Sequence, residues 1–99
     1  MANATSKESE IERYLCEEVE RRNGFTRKLQ YVNRRGCPDR LVMLPGGAVH
    51  LIELKRPSGG RLSVHQRNEF DEFMARDYIV CVLYSKEDVD HWLEQVDGA

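Results

Sequence analysis

Residues 36–57 read GCPDRLVMLPGGAVHLIELKRP, two apolar runs, Asp39 to Leu44 and Ala48 to Lys55, divided by Pro45-Gly46-Gly47. A proline and two glycines between such runs predict a β-hairpin. A three-residue loop sets Leu44 opposite Ala48, and counting outward from there sets Asp39 opposite Glu53 on one face. A loop of two or four residues would send the two acids to opposite faces, so loop length decides whether they meet. Directly opposed side chains have Cβ atoms about 4.5–5.5 Å apart, where like charges destabilise by a few tenths to about 1 kcal/mol. Lys55, two residues beyond Glu53, projects from the same face, but one ammonium beside two carboxylates still leaves net negative charge. A divalent cation is the simplest completion, and oxygen donors with no thiolate or imidazole cluster nearby suit Mg²⁺ or Mn²⁺ rather than zinc. Lys55 would then stand beside the ion, holding an attacking water or neutralising charge that grows on a phosphate.

Downstream, Pro57-Ser58-Gly59-Gly60 ends the pairing and opens a loop carrying Arg56 and Arg61. Ser63-Val64-His65-Gln66 is a capping box and predicts a helix to about Arg76, with Val64, Phe70, Phe73 and Met74 as its apolar residues. Tyr78 to Tyr84 is apolar at almost every position, which predicts a strand covered on both faces. Ser85-Lys86-Glu87-Asp88 caps a last helix whose Val89, Trp92, Leu93 and Val96 fall at i, i+3, i+4, i+7.

Upstream, Thr5-Ser6-Lys7-Glu8 has the form of a capping box and Asn23-Gly24 supplies a stop, so a helix is expected over roughly residues 6–22. Its stripe is Ile11, Leu15 and Val19, helped by Tyr14. Glu10 lies at the edge of the stripe and Glu18 falls nearer to it, and spacing alone does not choose between them. Phe25 to Tyr31 alternates as a strand with one wet face, and Asn33-Arg34-Arg35-Gly36 follows as a basic loop. The order α-β-β-β-α-β-α makes this an α/β protein with a central mixed sheet flanked by helices.

Ninety-nine residues, 40% hydrophobic and 32% charged, bound the chain to one small domain, residues 1–99, without a separate substrate domain. No apolar run approaches the roughly 20 residues that span a bilayer. The first ten residues lack the apolar stretch of a secretory signal, so a cytoplasmic protein is expected. Cys16, Cys37 and Cys81 are odd in number and far apart, which predicts reduced thiols. The net charge of −2 hides a strong asymmetry. Residues 21–67 carry eleven Lys and Arg against only Asp39 and Glu53, and the other fifteen acids lie outside that segment. A polyanion bound on one face suits such a pattern, because phosphate contacts depend on local charge.

Cys37-Pro38-Asp39 followed by Glu53-Leu54-Lys55 resembles the PD-(D/E)xK nuclease signature, and the element order is similar to that superfamily's restriction-endonuclease-like core. More narrowly, Glu10-Ile11, the stretch Gly36 to Arg40, Pro45-Gly46-Gly47, Glu53 to Pro57 and Ser63 to Gln66 resemble the VRR-NUC, or virus-type replication-repair nuclease, family from about residue 8 to residue 93. The resemblance implies a Mg²⁺- or Mn²⁺-dependent DNA endonuclease with Glu10, Asp39, Glu53 and Lys55 in the active site. The main-chain carbonyl of Leu54 would complete the metal shell, with Glu10 reaching the ion directly or through water. It favours Glu10 over Glu18, and it marks Gln66 as a site residue that also explains itself as half of a capping box. Cys37 stands where the family more often has an aliphatic residue. Lys28 matches a recurrent basic position, and with Arg34, Arg35, Arg40, Arg56 and Arg61 it is expected to contact phosphates around the cleft.

A stand-alone domain of this size resembles phage-encoded members that act as homodimers, in the cytoplasm of a bacterial host. Two symmetric sites suit a four-way junction, so structure-selective cleavage of branched DNA, of the Holliday-junction-resolvase type, is the expectation. No organic cofactor and no membrane partner are implied. A flap or single-strand nuclease acting as a monomer stays open beside it, as does a DNA-binding module without catalysis. The intact Asp39, Glu53 and Lys55 weigh against the last.

Overall fold

The computed structural model describes residues 7–97. Its elements are α1 (Glu8–Arg21), β1 (Phe25–Lys28), β2 (Arg40–Met43), β3 (Val49–Leu54), α2 (Val64–Met74), β4 (Val80–Leu83) and α3 (Lys86–Asp97), in the order that the sequence predicts. One four-stranded sheet runs β1-β2-β3-β4, antiparallel across the first two pairs and parallel between β3 and β4. A tight turn cannot join parallel strands, and α2 is the crossover that does so.

Alternation along β2 and β3 sends Val42, Ile52 and Leu54 to one face, where they pack with Ile11, Leu15 and Val19 of α1 and with Val89, Trp92 and Leu93 of α3. Fully burying a side chain of this size contributes roughly 1.5–3 kcal/mol, so this layer holds the fold together. On the other face α2 buries only Phe70. Polar chemistry has room there.

The helix ends show how the sequence sets the boundaries. Thr5 and Ser6, half of the predicted first capping box, lie outside the described residues; Lys7 occupies the N-cap without a side-chain bond. At the other end of α1, Asn23 takes φ 63° and the Gly24 N–H reaches the Val19 carbonyl at 2.9 Å. A Cβ on Gly24 would sit 2.6 Å from the Met43 carbonyl oxygen, so only glycine lets this end abut β2. Ser63 forms the full capping box with Gln66, and the Ser85 hydroxyl accepts the Asp88 N–H at 3.0 Å.

Two strands differ from expectation. The run Tyr78–Tyr84 is not covered on both faces: Tyr78 and Ile79 are 61% and 72% exposed. The Tyr78 N–H closes the end of α2 on the Phe73 carbonyl at 2.9 Å, and β4 lies at the edge of the sheet, where a long apolar run keeps one side open. At the opposite edge β1 stops at Lys28, short of Tyr31, and Phe25 is half-exposed with the Arg27 guanidinium 4.6 Å above its ring. The three cysteines are free thiols. No helix among the described residues is long and apolar enough to cross a membrane.

Candidate active site

Arg40 pairs with Ile52, Leu41 with Leu51, Val42 with His50 and Met43 with Val49. This is the register of the three-residue loop, and one further step along it sets Asp39 opposite Glu53. Because Val42, Ile52 and Leu54 turn to the core, Asp39, Glu53 and Lys55 turn to the opposite face, under α2. The Asp39 carbonyl accepts the Leu29 N–H of the β1 side at 2.8 Å. Its main chain therefore bonds away from β3, and Asp39 with Glu53 is the kind of pair that holds side chains closest. The next bonded pair would be Pro38 with Leu54. Proline has no N–H to give the Leu54 carbonyl, and the Leu54 N–H goes instead to Asp39 Oδ2 at 2.8 Å. A fully buried Pro38 thus ends the ladder where the acids stand.

Glu53 is the unusual member, a carboxylate only 1% exposed. Its Oε2 accepts from Gln66 Nε2 at 2.7 Å and lies 3.1 Å from Lys55 Nζ. Its Oε1 is buried with no partner at all. Burial, then the negative charge of Asp39, push its pKa up, and the bonds and charge of Lys55 and the bond from Gln66 only partly oppose this. An unsatisfied buried acceptor costs about 1–3 kcal/mol, more when charged. A hard cation answers both faults, since it supplies the orphan oxygen with a partner and offsets the Asp39 charge. Two carboxylates, with the Leu54 carbonyl, would give an all-oxygen donor set whose chemistry suits Mg²⁺ or Mn²⁺. Among the described residues no group of three or more His, Cys, Asp or Glu is placed to hold a metal, so waters would fill the rest of such a shell.

The structure links Asp39, Glu53, Lys55 and Gln66, and no side-chain contact among the described residues ties Glu10 to them. Glu10 lies in the first turn of α1, half-buried, with no side-chain hydrogen bond or ion pair among the described residues. The neighbouring Glu12 meets Arg40, which places that turn at the Asp39 end of the sheet.

The expected phosphate contacts divide. Arg40 does not face the cleft: it follows Asp39 by one residue, points to the α1 face, and its Nε donates to Glu12 Oε2 at 2.8 Å. Lys28 shares that face, its ammonium 3.8 Å from the same Glu12 oxygen. Arg34 gives both Nε and Nη2 to Glu69 Oε1, at 3.2 and 2.7 Å. Arg35, Arg56 and Arg61 are exposed and meet no acid among the described residues.

Glu69 carries a role that sequence reading missed. Besides holding Arg34 it accepts the Tyr31 hydroxyl at 2.6 Å, and these two bonds hold its pKa below the ordinary carboxylate range, Arg34 foremost. The loop it grips packs directly on α2, where a Cβ on Gly36 would come within 2.5 Å of the His65 carbonyl oxygen. Its one sequence signal is position, one turn beyond Gln66 on the same helix face. Asn33, Arg34, Arg35, His65, Asn68 and Glu69 line a cleft of about 670 Å³ between this loop and α2.

Comparison with known proteins gives two findings. The chain is 37% identical over 81 residues to "Putative nuclease p44" of Acyrthosiphon pisum secondary endosymbiont phage 1, a match covering 82% of this chain and 86% of that one. It superposes on a solved structure described as "VRR_NUC domain" with a TM-score of 0.84 and 33% identity, over 92% of this chain and 99% of that chain. No family model matches.

Proposed function

The chain belongs to the VRR-NUC nuclease family, and from that premise we propose that it is a metal-dependent, structure-selective DNA endonuclease formed by one domain over residues 1–99. The observation that carries this reading is Glu53, a buried carboxylate with one orphan oxygen, set against Asp39 and Lys55. Asp39, Glu53 and the Leu54 carbonyl would hold a Mg²⁺ or Mn²⁺ ion, with Glu10 reaching it through water; such an ion lowers the pKa of its bound water and offsets phosphate charge.

The residues themselves supply the remainder. In phosphodiester hydrolysis a water adds to phosphorus while losing a proton, one ester oxygen leaves, and that oxygen takes a proton up. Lys55, pinned by Glu53, is placed to orient the water or to balance charge developing on the phosphate. Of the expected phosphate contacts, Arg35, Arg56 and Arg61 meet no acid among the described residues and can meet the DNA backbone, while Glu69 holds Arg34 in place.

Branched DNA is the proposed substrate and a homodimer the proposed form, acting in a bacterial host's cytoplasm as a phage-encoded relative would. Support for the dimer comes from an exposed apolar face, Val49, Tyr78 and Ile79, beside the edge strand β4. The test is a panel of labelled junction, flap, duplex and single-stranded DNA, incubated with Mg²⁺, with Mn²⁺ or with chelator. Metal-dependent cutting of the junction in preference to the others supports the reading. Cutting of flaps or single strands alone replaces it with the monomeric flap-nuclease reading, and binding without cutting leaves a DNA-binding module.

A further inference from the structure

Gln66 touches the candidate site from outside it, and its two ends are committed to different tasks. The Ser63 N–H donates to Gln66 Oε1 at 3.0 Å, while Gln66 Nε2 donates to Glu53 Oε2 at 2.7 Å. The Gln66 N–H in turn donates to the Ser63 hydroxyl at 3.1 Å. A main-chain N–H can only donate, so the amide atom facing Ser63 is fixed as the oxygen, and the NH₂ is forced toward Glu53. The N-terminus of α2 thereby chooses the sense of a side-chain amide one turn away.

This choice matters at Glu53. Its carboxylate has two oxygens in a nearly dry setting, and Gln66 and Lys55 both engage Oε2. Oε1 is left as the only oxygen without a partner. An amide turned the other way would set its oxygen against a carboxylate, which repels it. Of the partners on Oε2, Lys55 is a flexible ammonium, whereas Gln66 is held at its far end by the helix cap. The rigid donor decides which way the carboxyl plane faces.

We infer that Gln66 is a positioning residue, which, with its amide oriented by the α2 cap, turns Glu53 so that Oε1 faces the metal. The inference rests on the metal-site reading above. Partners of this outer kind are worth about 10–100-fold in metal affinity where they have been removed. Its counterpart one turn on, Glu69, fixes the loop that packs on α2, so neighbouring turns of one helix hold both Glu53 and that loop.

The test is Mn²⁺ binding to the purified, DNA-free protein by titration calorimetry, alongside thermal melting and steady-state cleavage. Gln66→Met, similar in length and without hydrogen-bonding groups at its end, should bind Mn²⁺ at least about tenfold more weakly and lower kcat while KM for DNA holds. Ser63→Ala keeps its main-chain N–H and loses only the hydroxyl cap. It should melt about 4–8 °C lower yet bind Mn²⁺ within twofold of wild type. Gln66→Met with unchanged Mn²⁺ affinity overturns the inference, as does a Ser63→Ala variant that loses as much affinity as Gln66→Met, because helix stability alone would then explain both. Wild-type protein that binds no Mn²⁺ overturns the metal-site reading and the inference with it; retained wild-type binding isolates a failure to Gln66.

Discussion

Asp39 holds the main-chain N–H of Leu54 at 2.8 Å, so the residue that stands opposite Glu53 also takes up the donor left over where Pro38 ends the β2–β3 ladder. Asparagine can accept the same N–H through its carbonyl oxygen, which makes Asp39→Asn a test of charge with the backbone contact kept. Cleavage should fall at least about a hundredfold, as expected for loss of a ligand to an ion that supplies several kcal/mol of transition-state stabilisation. The metal-free fold should be unchanged or gain up to about 1 kcal/mol, since a like-charge pair has been relieved. Equal losses in DNA binding and cleavage, together with a lower melting temperature, would mean that Asp39 serves the fold instead.

Lys55→Met removes the ammonium that, among the described residues, pairs with Glu53 and keeps most of the apolar stem. Its side chain is 16% exposed and that of Glu53 2%, so the contact is sheltered from water. Denaturant unfolding should show a loss of about 1.5–3 kcal/mol, the scale of a hydrogen bond to a charged group. Cleavage should drop about 10²–10³-fold, with gel-shift affinity for DNA nearly retained. Unchanged Mg²⁺-dependent cutting would remove Lys55 from the mechanism.

Much of this was legible in the chain because hairpin parity is strict. Pro45-Gly46-Gly47 and the alternation fix which residues share a face, and Asp39, Glu53 and Lys55 follow. The same parity already turns Arg40 away from Asp39, although its charge made it look like a cleft residue; Glu12 collects it on the α1 face. Glu69 was hidden for a different reason. Its partners Tyr31 and Arg34 lie 38 and 35 residues away, and local spacing carries no trace of a contact made by docking a loop on a helix. Edge position was hidden too, because Tyr78–Tyr84 reads as an apolar run whether or not another strand covers it.

Glu69 gives a pH dependence of definite sign. Folding lowers its pKa below the ordinary 4.5, chiefly through Arg34 and then Tyr31. A lowered acid pKa means that the unfolded chain takes up the proton first, so the contribution is complete above about 4.5 and is lost as pH falls through the lowered value. Melting curves should show Glu69→Gln less stable than wild type at neutral pH and the gap closing as pH falls below about 4.5 and through the lowered value. With the loop released, KM for DNA should rise and kcat hold. A gap that persists into acid would mean that Glu69 contributes through packing.

The two edges of the sheet are built differently, and that difference predicts the assembly. β1 carries Arg27 and Lys28, charges of the kind that discourage a free edge from pairing. Tyr78 to Tyr84 carries no charge and no proline. The Lys55 N–H bonds to the Leu83 carbonyl, so Leu83 and Cys81 direct their main chain to β3, and Val80 and Val82 direct theirs outward. Beyond them Asp88 closes the Tyr84 N–H at 2.9 Å, leaving a short open edge flanked by Tyr78 and Ile79. A second copy related by a two-fold axis can pair there strand to strand while covering those side chains, since such an interface uses the same patch from both partners. Sedimentation should find twice the 11.5 kDa chain mass at micromolar concentration. Ile79→Lys, at a position 72% exposed and free of core contacts, should return the monomer with its melting temperature little changed in dilute solution. The variant should also lose paired cuts on a four-way junction before it loses nicking of simpler substrates. Wild-type protein that sediments as a monomer with junction DNA bound would sink the two-site scheme and leave a nuclease that works alone.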